Sequence, residues 1–98
     1  MIIQEVLTRL ATAEHPVALA LHKGKDFRSL IIGMKKGMVL KEHKASVPSK
    51  LTVLSGQVTY AEAKRQVNLS QYETLDIPVE VLHEVEALQD SLCLLTQG

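Results

Sequence analysis

Short strand-like segments separated by turn-forming residues dominate the chain from Val17 onward. Turns are indicated near Gly24, Gly37, Pro48 and Gly56. Strands spaced about eight to twelve residues apart are typical of an all-β sandwich or barrel. Because two such strands alone are not stable in water, the segments must pack over one shared core. The pattern therefore predicts a single all-β domain.

The N-terminal segment follows helical spacing instead. Its apolar positions on one helical face are Ile2, Ile3, Val6, Leu7, Leu10 and Ala11. This spacing predicts an amphipathic helix over residues 2–14 that ends before Pro16, since the residue preceding a proline is disfavoured in a helix. We therefore divide the chain into an N-terminal helix at 1–15 and a β-barrel domain at 16–98.

Composition excludes several classes of partner. The 11 basic and 11 acidic residues cancel, and aromatic residues make up only 3% of the chain, so neither a charged surface nor a stacking surface for nucleic acid is indicated. The apolar runs are too short to cross a bilayer, and the N terminus lacks the pattern of a signal peptide. We expect a cytoplasmic protein that binds neither nucleic acid nor membrane.

The single cysteine, Cys93, lies in an apolar run. One cysteine cannot form an internal disulfide, and this setting favours a small buried core residue over a reactive thiol. Among the aromatic residues, Tyr60 and Tyr72 are predicted to pack with their polar ends at the surface. Lys64 and Arg65 are predicted to form a solvated hairpin tip.

Residues 37–56 contain a glycine, a histidine and a second glycine at informative spacing. The order of Gly37, His43, Ala45, Ser49 and Gly56 resembles the first motif of the cupin family, G-x5-H-x-H-x3,4-E-x6-G. In this chain Ala45 stands at the second histidine position and Ser49 at the glutamate position.

The second cupin motif, G-x5-P-x-G-x2-H-x3-N, is echoed over residues 72–87. Pro78 and His83 keep the proline and histidine positions. Tyr72, Glu80 and Ala87 stand where the motif has glycine, glycine and asparagine. The chain thus resembles the small single-domain, RmlC-like cupins with degenerate metal-binding motifs.

The resemblance implies a small jelly-roll β-barrel with one N-terminal helix packed outside it, and a homodimer, because such cupins often dimerise. Metal-dependent cupins bind zinc, nickel, iron or manganese through the two histidines and the glutamate of the first motif and the histidine of the second. Only His43 and His83 match those positions here. Two imidazoles alone would bind weakly, because divalent metals usually take three or four protein ligands. Whether a divalent metal is a cofactor therefore stays open.

Strand alternation predicts which residues face the interior. His83 is expected to point inward together with Val85 and Ala87, and His43 together with Val39 and Lys41. The neighbours Glu42 and Glu84 are expected on the opposite faces. The two histidines would then share one cavity.

These observations support three functional hypotheses. The first is a small-molecule-binding cupin of unassigned activity with an incomplete metal site. The alternative is a metal-dependent enzyme of the dioxygenase, isomerase or decarboxylase type that uses His43 and His83. The third is a structural dimerisation module. The predicted pocket is lined by His43, Ala45, Ser49, Leu51, His83 and Val85.

Overall fold

The computed structural model describes the backbone of residues 1–98 and the side chains of residues 1–41 and 44–98. One helix and nine strands are present in this backbone. In chain order they are α1 (Ile2–Leu10), β1 (Val17–Lys23), β2 (Arg28–Met34), β3 (Val39–His43), β4 (Ser49–Ser55), β5 (Gln57–Glu62), β6 (Arg65–Ser70), β7 (Thr74–Ile77), β8 (His83–Ala87) and β9 (Ser91–Gln97).

The strands form two antiparallel sheets. One sheet has the order β1-β2-β9-β4-β7, and the other has the order β3-β8-β5-β6. Their inner faces enclose one apolar cluster that includes Ile32, Leu51, Val53, Val58, Tyr60, Val85 and Cys93. This arrangement confirms the predicted all-β jelly roll with one N-terminal helix. The strands stay in two sheets and do not form one closed hydrogen-bonded barrel.

Helix α1 is shorter than the sequence predicted. It ends at Leu10, and the N–H groups of Thr12 and Ala13 donate to carbonyls only three residues back. The predicted end at residue 14 is wrong because only Val6 and Leu10 bury side chains against the sheet. Gly33 on β2 permits this contact, since a Cβ atom there would lie 2.7 Å from Val6 Cγ1. Packing therefore decides the length of the helix.

Two further predictions concern membrane-spanning helices and the single cysteine. No helix among the described residues is long and apolar enough to cross a membrane. Cys93 is buried on β9, as predicted, and burial raises the pKa of its thiol to about 11. The thiol is therefore protonated at neutral pH and belongs to the core.

The inward face was predicted correctly for β8 and wrongly for β3. On β8, His83, Val85 and Ala87 are buried and Glu84 is exposed, as expected. On β3, Leu40 is the residue paired with Val85 and packed against the core.

The error on β3 has a local cause. The pairing of β3 with β8 shifts register between Leu40 and His43, which marks a β-bulge or irregularity. A bulge interrupts the period-two alternation. Val39 and Lys41 therefore do not share a face with the core, and Lys41 is exposed.

The four glycine positions of the two motifs share one backbone conformation. Gly37 and Gly56 have φ values of 88° and 87°, and the two residues at the glycine positions of the second motif, Tyr72 and Glu80, have φ values of 71° and 61°. Tyr72 and Glu80 are the non-glycine residues with positive φ in the described backbone. A left-handed turn therefore occurs also at the two positions where the resembled motif has glycine and this chain has another residue.

This conformation yields a stability prediction. A left-handed backbone costs a non-glycine residue about 1–2 kcal/mol, and the greater freedom of glycine in the unfolded chain offsets part of the gain. We expect Tyr72→Gly and Glu80→Gly each to raise the free energy of unfolding by about 0.5–1 kcal/mol, a rise in Tm of a few degrees. Thermal melts of both variants will measure this. Tyr72→Ala and Glu80→Ala are the controls, because they keep the Cβ atom and should not gain. Glycine variants that melt no higher than the alanine variants would show that these turns are unstrained.

Candidate functional site

Four polar residues lie in one row across the four-stranded sheet. In the backbone register, His43 on β3 pairs with His83 on β8, His83 pairs with Glu62 on β5, and Glu62 pairs with Arg65 on β6. Neighbouring strands are about 4.8 Å apart, so the row spans the sheet within a short distance. It lies at the end of the molecule formed by the turns 24–27, 44–48, 63–64 and 78–82, which we call the mouth.

His83 is the buried centre of this row. Its side chain is 2% exposed, and its Nδ1 atom lies 3.1 Å from the carbonyl oxygen of Val81. Because a carbonyl can only accept, Nδ1 of His83 is the donor in this hydrogen bond.

Tyr60 connects His83 to a carboxylate. The tyrosine is fully buried, and its ring stacks on His83 with centroids 5.6 Å apart and planes at 26°. Its hydroxyl donates to Glu62 Oε2 at 2.5 Å. Burial raises the pKa of Tyr60 to about 12, and the hydrogen bond to Glu62 adds to the effect. The phenol is therefore a fixed donor at neutral pH.

Glu62 is a partly buried carboxylate with a cation beside it. Its side chain is 12% exposed, and Arg65 Nε lies 3.1 Å from its Oε1 atom. The hydrogen bond from Tyr60 lowers the pKa of Glu62 most, and Arg65 lowers it further against the opposing effect of burial. The carboxylate is ionised at neutral pH.

Arg65 holds this group from the edge of the sheet. Its Cζ atom lies 5.4 Å from the centroid of the Tyr60 ring, on which the guanidinium makes a cation–π contact. Its Nη2 atom donates to the carbonyl of Asp76 on β7 at 3.0 Å. Because β6 and β7 are the outer strands of different sheets, Arg65 joins the two sheets at their edges.

A cavity opens directly on this row. It has a volume of about 280 Å³ and is lined by Ala61, Glu62, Ala63, Leu82, His83 and Glu84. The volume is near the lower end of the range for small-molecule sites, about 300–1,000 Å³. Beside it, the backbone N–H of Glu80 donates to the carbonyl of Ala45 at 2.9 Å, which ties together two loops of the mouth.

The predicted pocket residues have different surroundings. Ala45, Ser49, Leu51 and Val85 are all buried, and Leu51 and Val85 belong to the apolar core. The Ser49 hydroxyl donates to the carbonyl of Val47 and accepts from Gln97 Nε2. It therefore stabilises the contact between β4 and β9 in the five-stranded sheet. The side chain of His43 lies outside the described residues.

Tight binding of a divalent metal needs several donor side chains close together. Among the described side chains, no three His, Cys, Asp or Glu residues are grouped closely enough to hold a metal ion. Within the row, the described side chains of His83 and Glu62 have donor types that suit one, and Glu62 is already bound by Tyr60 and Arg65. The predicted ligand pair of His43 and His83 stays a prediction, as do the facing directions of His43 and Glu42.

Three residues of the row and its surroundings were missed or misread from the sequence. Tyr60 was predicted to place its polar end at the surface, but the whole side chain is buried. Tyr72 was predicted to pack, but it is 77% exposed. The solvated hairpin tip was predicted correctly, since Lys64 and Arg65 are both exposed, but Glu62, which Arg65 binds, was not singled out. The alternation of Val58, Tyr60 and Glu62 was the available signal, because it places the carboxylate on the core face.

Comparison with solved structures identifies the fold. The chain aligns with a cupin superfamily protein from Desulfitobacterium hafniense with a TM-score of 0.80 and 15% identity, over 94% of this chain and 86% of that one. A cupin 2 conserved barrel domain protein from Leptotrichia buccalis gives a TM-score of 0.80 and 24% identity, over 88% of this chain and 42% of that one. A conserved protein of unknown function from Streptococcus pyogenes gives a TM-score of 0.78 and 18% identity, over 86% of this chain and 74% of that one.

These similarities establish a cupin-type jelly roll, and at such identities they establish the fold alone. No protein-family model and no curated protein matches the sequence.

The setting of Tyr60 can be measured directly. The chain has two tyrosines, so Tyr72→Phe leaves Tyr60 as the single phenol. We expect the absorbance change at 295 nm in this variant to have its midpoint at about pH 12 when folded and at about pH 10 in urea. Because the folded state holds this proton more tightly, the associated stability is complete below about pH 10 and is lost as the pH rises towards about 12. A folded midpoint near pH 10 would contradict the buried, hydrogen-bonded position.

Proposed function

We propose that this cupin-fold chain is a small-molecule-binding protein whose ligand site is the polar row at the mouth, and that it works with an incomplete metal site. The observation that supports this most directly is the group formed by Tyr60, Glu62, Arg65 and His83. It places an ionised carboxylate and a buried imidazole beside an open cavity. Converging polar groups in an otherwise apolar setting are typical of ligand sites.

The surroundings of the row define the ligand in chemical terms. The mouth carries exposed apolar side chains on three of its loops: Phe27 on one, Val47 on the second, and Val79 and Leu82 on the third. The polar row offers Glu62 as an acceptor and the His83 ring for hydrogen bonding. We infer a small compound with a hydrogen-bonding group directed to His83 and Glu62 and an apolar part lying along Leu82.

A metal-dependent enzyme is the second candidate. The register places Glu62 beside His83, and His83 beside His43, on three adjacent strands. Two imidazoles and one carboxylate with open positions suit a catalytic divalent metal. In this case the reaction would be of the dioxygenase, isomerase or decarboxylase type, with the metal polarising a substrate oxygen.

Ligand binding by the wild-type chain tests the first candidate. Mixtures of small polar compounds would be added to ¹⁵N-labelled protein, and the amide shifts of Glu62, Leu82 and His83 would be followed. We expect a bound compound to perturb these amides, and His83→Gln to weaken its binding by about tenfold or more, as expected when a hydrogen-bonding partner is lost.

His15→Gln is the matched control, because His15 is exposed in the loop before β1 and away from the mouth. Binding that perturbs other residues, or that survives His83→Gln, would contradict the proposed site. Protein purified without a histidine tag would also be analysed for metals. A divalent metal present at one equivalent would favour the metal-dependent enzyme instead.

We also propose that the chain forms a homodimer through α1 and β1. Strand β1 is an outer strand of the five-stranded sheet, and its residues 20–23 are exposed. Ile3, Leu7 and Leu21 add exposed apolar area beside it. An uncovered edge strand with apolar neighbours favours pairing with a second copy.

Light scattering at micromolar concentration tests the dimer. We expect twice the chain mass for the wild type and a shift to monomer for Leu21→Lys, because a charge would then be buried at the interface. Lys25→Ala in the adjoining turn is the control and should stay dimeric. A wild-type monomer would contradict the proposal.

A further inference from the structure

We propose that Arg65 determines the ligand specificity of the site by taking the electrostatic place of a divalent metal, so that the site accepts uncharged polar compounds and excludes cations. This inference rests on the proposed function, since it names the ligand class of the same site. It concerns a residue that belongs to neither cupin motif found in the sequence.

The contacts of Arg65 hold its guanidinium next to the carboxylate of Glu62. The guanidinium reaches Glu62 Oε1 through Nε at 3.1 Å, and it lies over the Tyr60 ring at 5.4 Å from the centroid. Its Nη2 atom is held by the carbonyl of Asp76 at 3.0 Å. Three separate partners on β5 and β7 therefore hold the cation against Glu62.

The local fold explains why Arg65 takes this position. Strands β5 and β6 are joined by the two residues at 63–64, and the register makes Glu62 and Arg65 directly paired. Opposite charges in paired positions attract across a sheet. The neighbouring Lys64 is in the turn itself and is exposed, so it provides a cation of similar location without these contacts.

Charge balance leads from these contacts to specificity. Two carboxylates line the cavity: Glu84 is exposed on the outer face of β8, and Glu62 lies in the row. The guanidinium of Arg65, which stays charged at every relevant pH, neutralises Glu62. A metal at His83 and Glu62 would lie close to that positive charge and would be repelled, although solvent screens part of the repulsion because the Arg65 side chain is 41% exposed. An uncharged compound meets no such repulsion and can still hydrogen-bond to His83 and Glu62.

Titration with Co²⁺ alone tests the inference, because cobalt bound to protein nitrogen and oxygen ligands gives visible absorption. Arg65→Met removes the charge and keeps an apolar stem over Tyr60. We expect this variant to bind Co²⁺ at least about tenfold more tightly than the wild type, since a like charge a few ångströms away is lost. The gain should disappear in Arg65→Met/Glu62→Gln.

Two further variants separate charge from position. Arg65→Lys keeps the charge and should bind Co²⁺ as weakly as the wild type. Lys64→Met removes the neighbouring cation and should also leave binding weak. Because Arg65 joins the two sheets, Arg65→Gln is the second test variant, since it removes the charge and keeps a polar side chain at this position. Thermal melts will show which variants are folded.

The outcomes distinguish this inference from the proposed function. Tight Co²⁺ binding by the wild type, or equal binding by Arg65→Met, Arg65→Gln and Lys64→Met, would overturn the role of Arg65. Neither result would exclude a small-molecule ligand at the mouth. Conversely, a gain specific to the Arg65 variants supports the inference, even if no uncharged compound binds and the proposed function fails.

Discussion

Strand β8 is hydrogen-bonded on both sides, and its register decides which side chains face the core and which lie in the candidate site. Only five residues long, it pairs with β3 on one side and β5 on the other. A slip by one residue would turn His83, Val85 and Ala87 to the outer face and bring Glu84 and Glu86 inward. Burial of Val85 and Ala87 thus also holds His83 in the row.

Beside His83, the negative charge of Glu62 lies at the edge of the apolar core. A carboxylate at the edge of a core is costly unless it is hydrogen-bonded and paired. Glu62 has the Tyr60 hydroxyl on one oxygen and Arg65 on the other, and Arg65 is itself held by Asp76 of the opposite sheet. The ion pair of Glu62 and Arg65 therefore has two effects. It connects the edges of the two sheets, and it sets the charge at the wall of the cavity.

Sequence patterns predicted the inward faces correctly where the alternation of side chains continued without a break through a whole strand. The alternation on β8 placed His83, Val85 and Glu84 correctly, and the motif spacing identified the jelly roll. Patterns failed where the chain departs from regular geometry. The irregular register in β3 reversed the expected roles of Leu40 and Lys41, and α1 ended when its apolar face lost contact with the sheet. The site was found only in part, because Glu62 and Arg65 lie on strands outside the metal-ligand positions of both motifs.

The sequence by itself determined the fold class, the inward position of His83 and the absence of histidine and glutamate at positions 45 and 49. These properties depend on local alternation and on residue identity, which are written directly in the chain. The tertiary structure alone decided that Glu62 and Arg65 join the row of His83. Their proximity to His83 comes from strand pairing across gaps of about twenty residues, and no local pattern encodes which strands become neighbours.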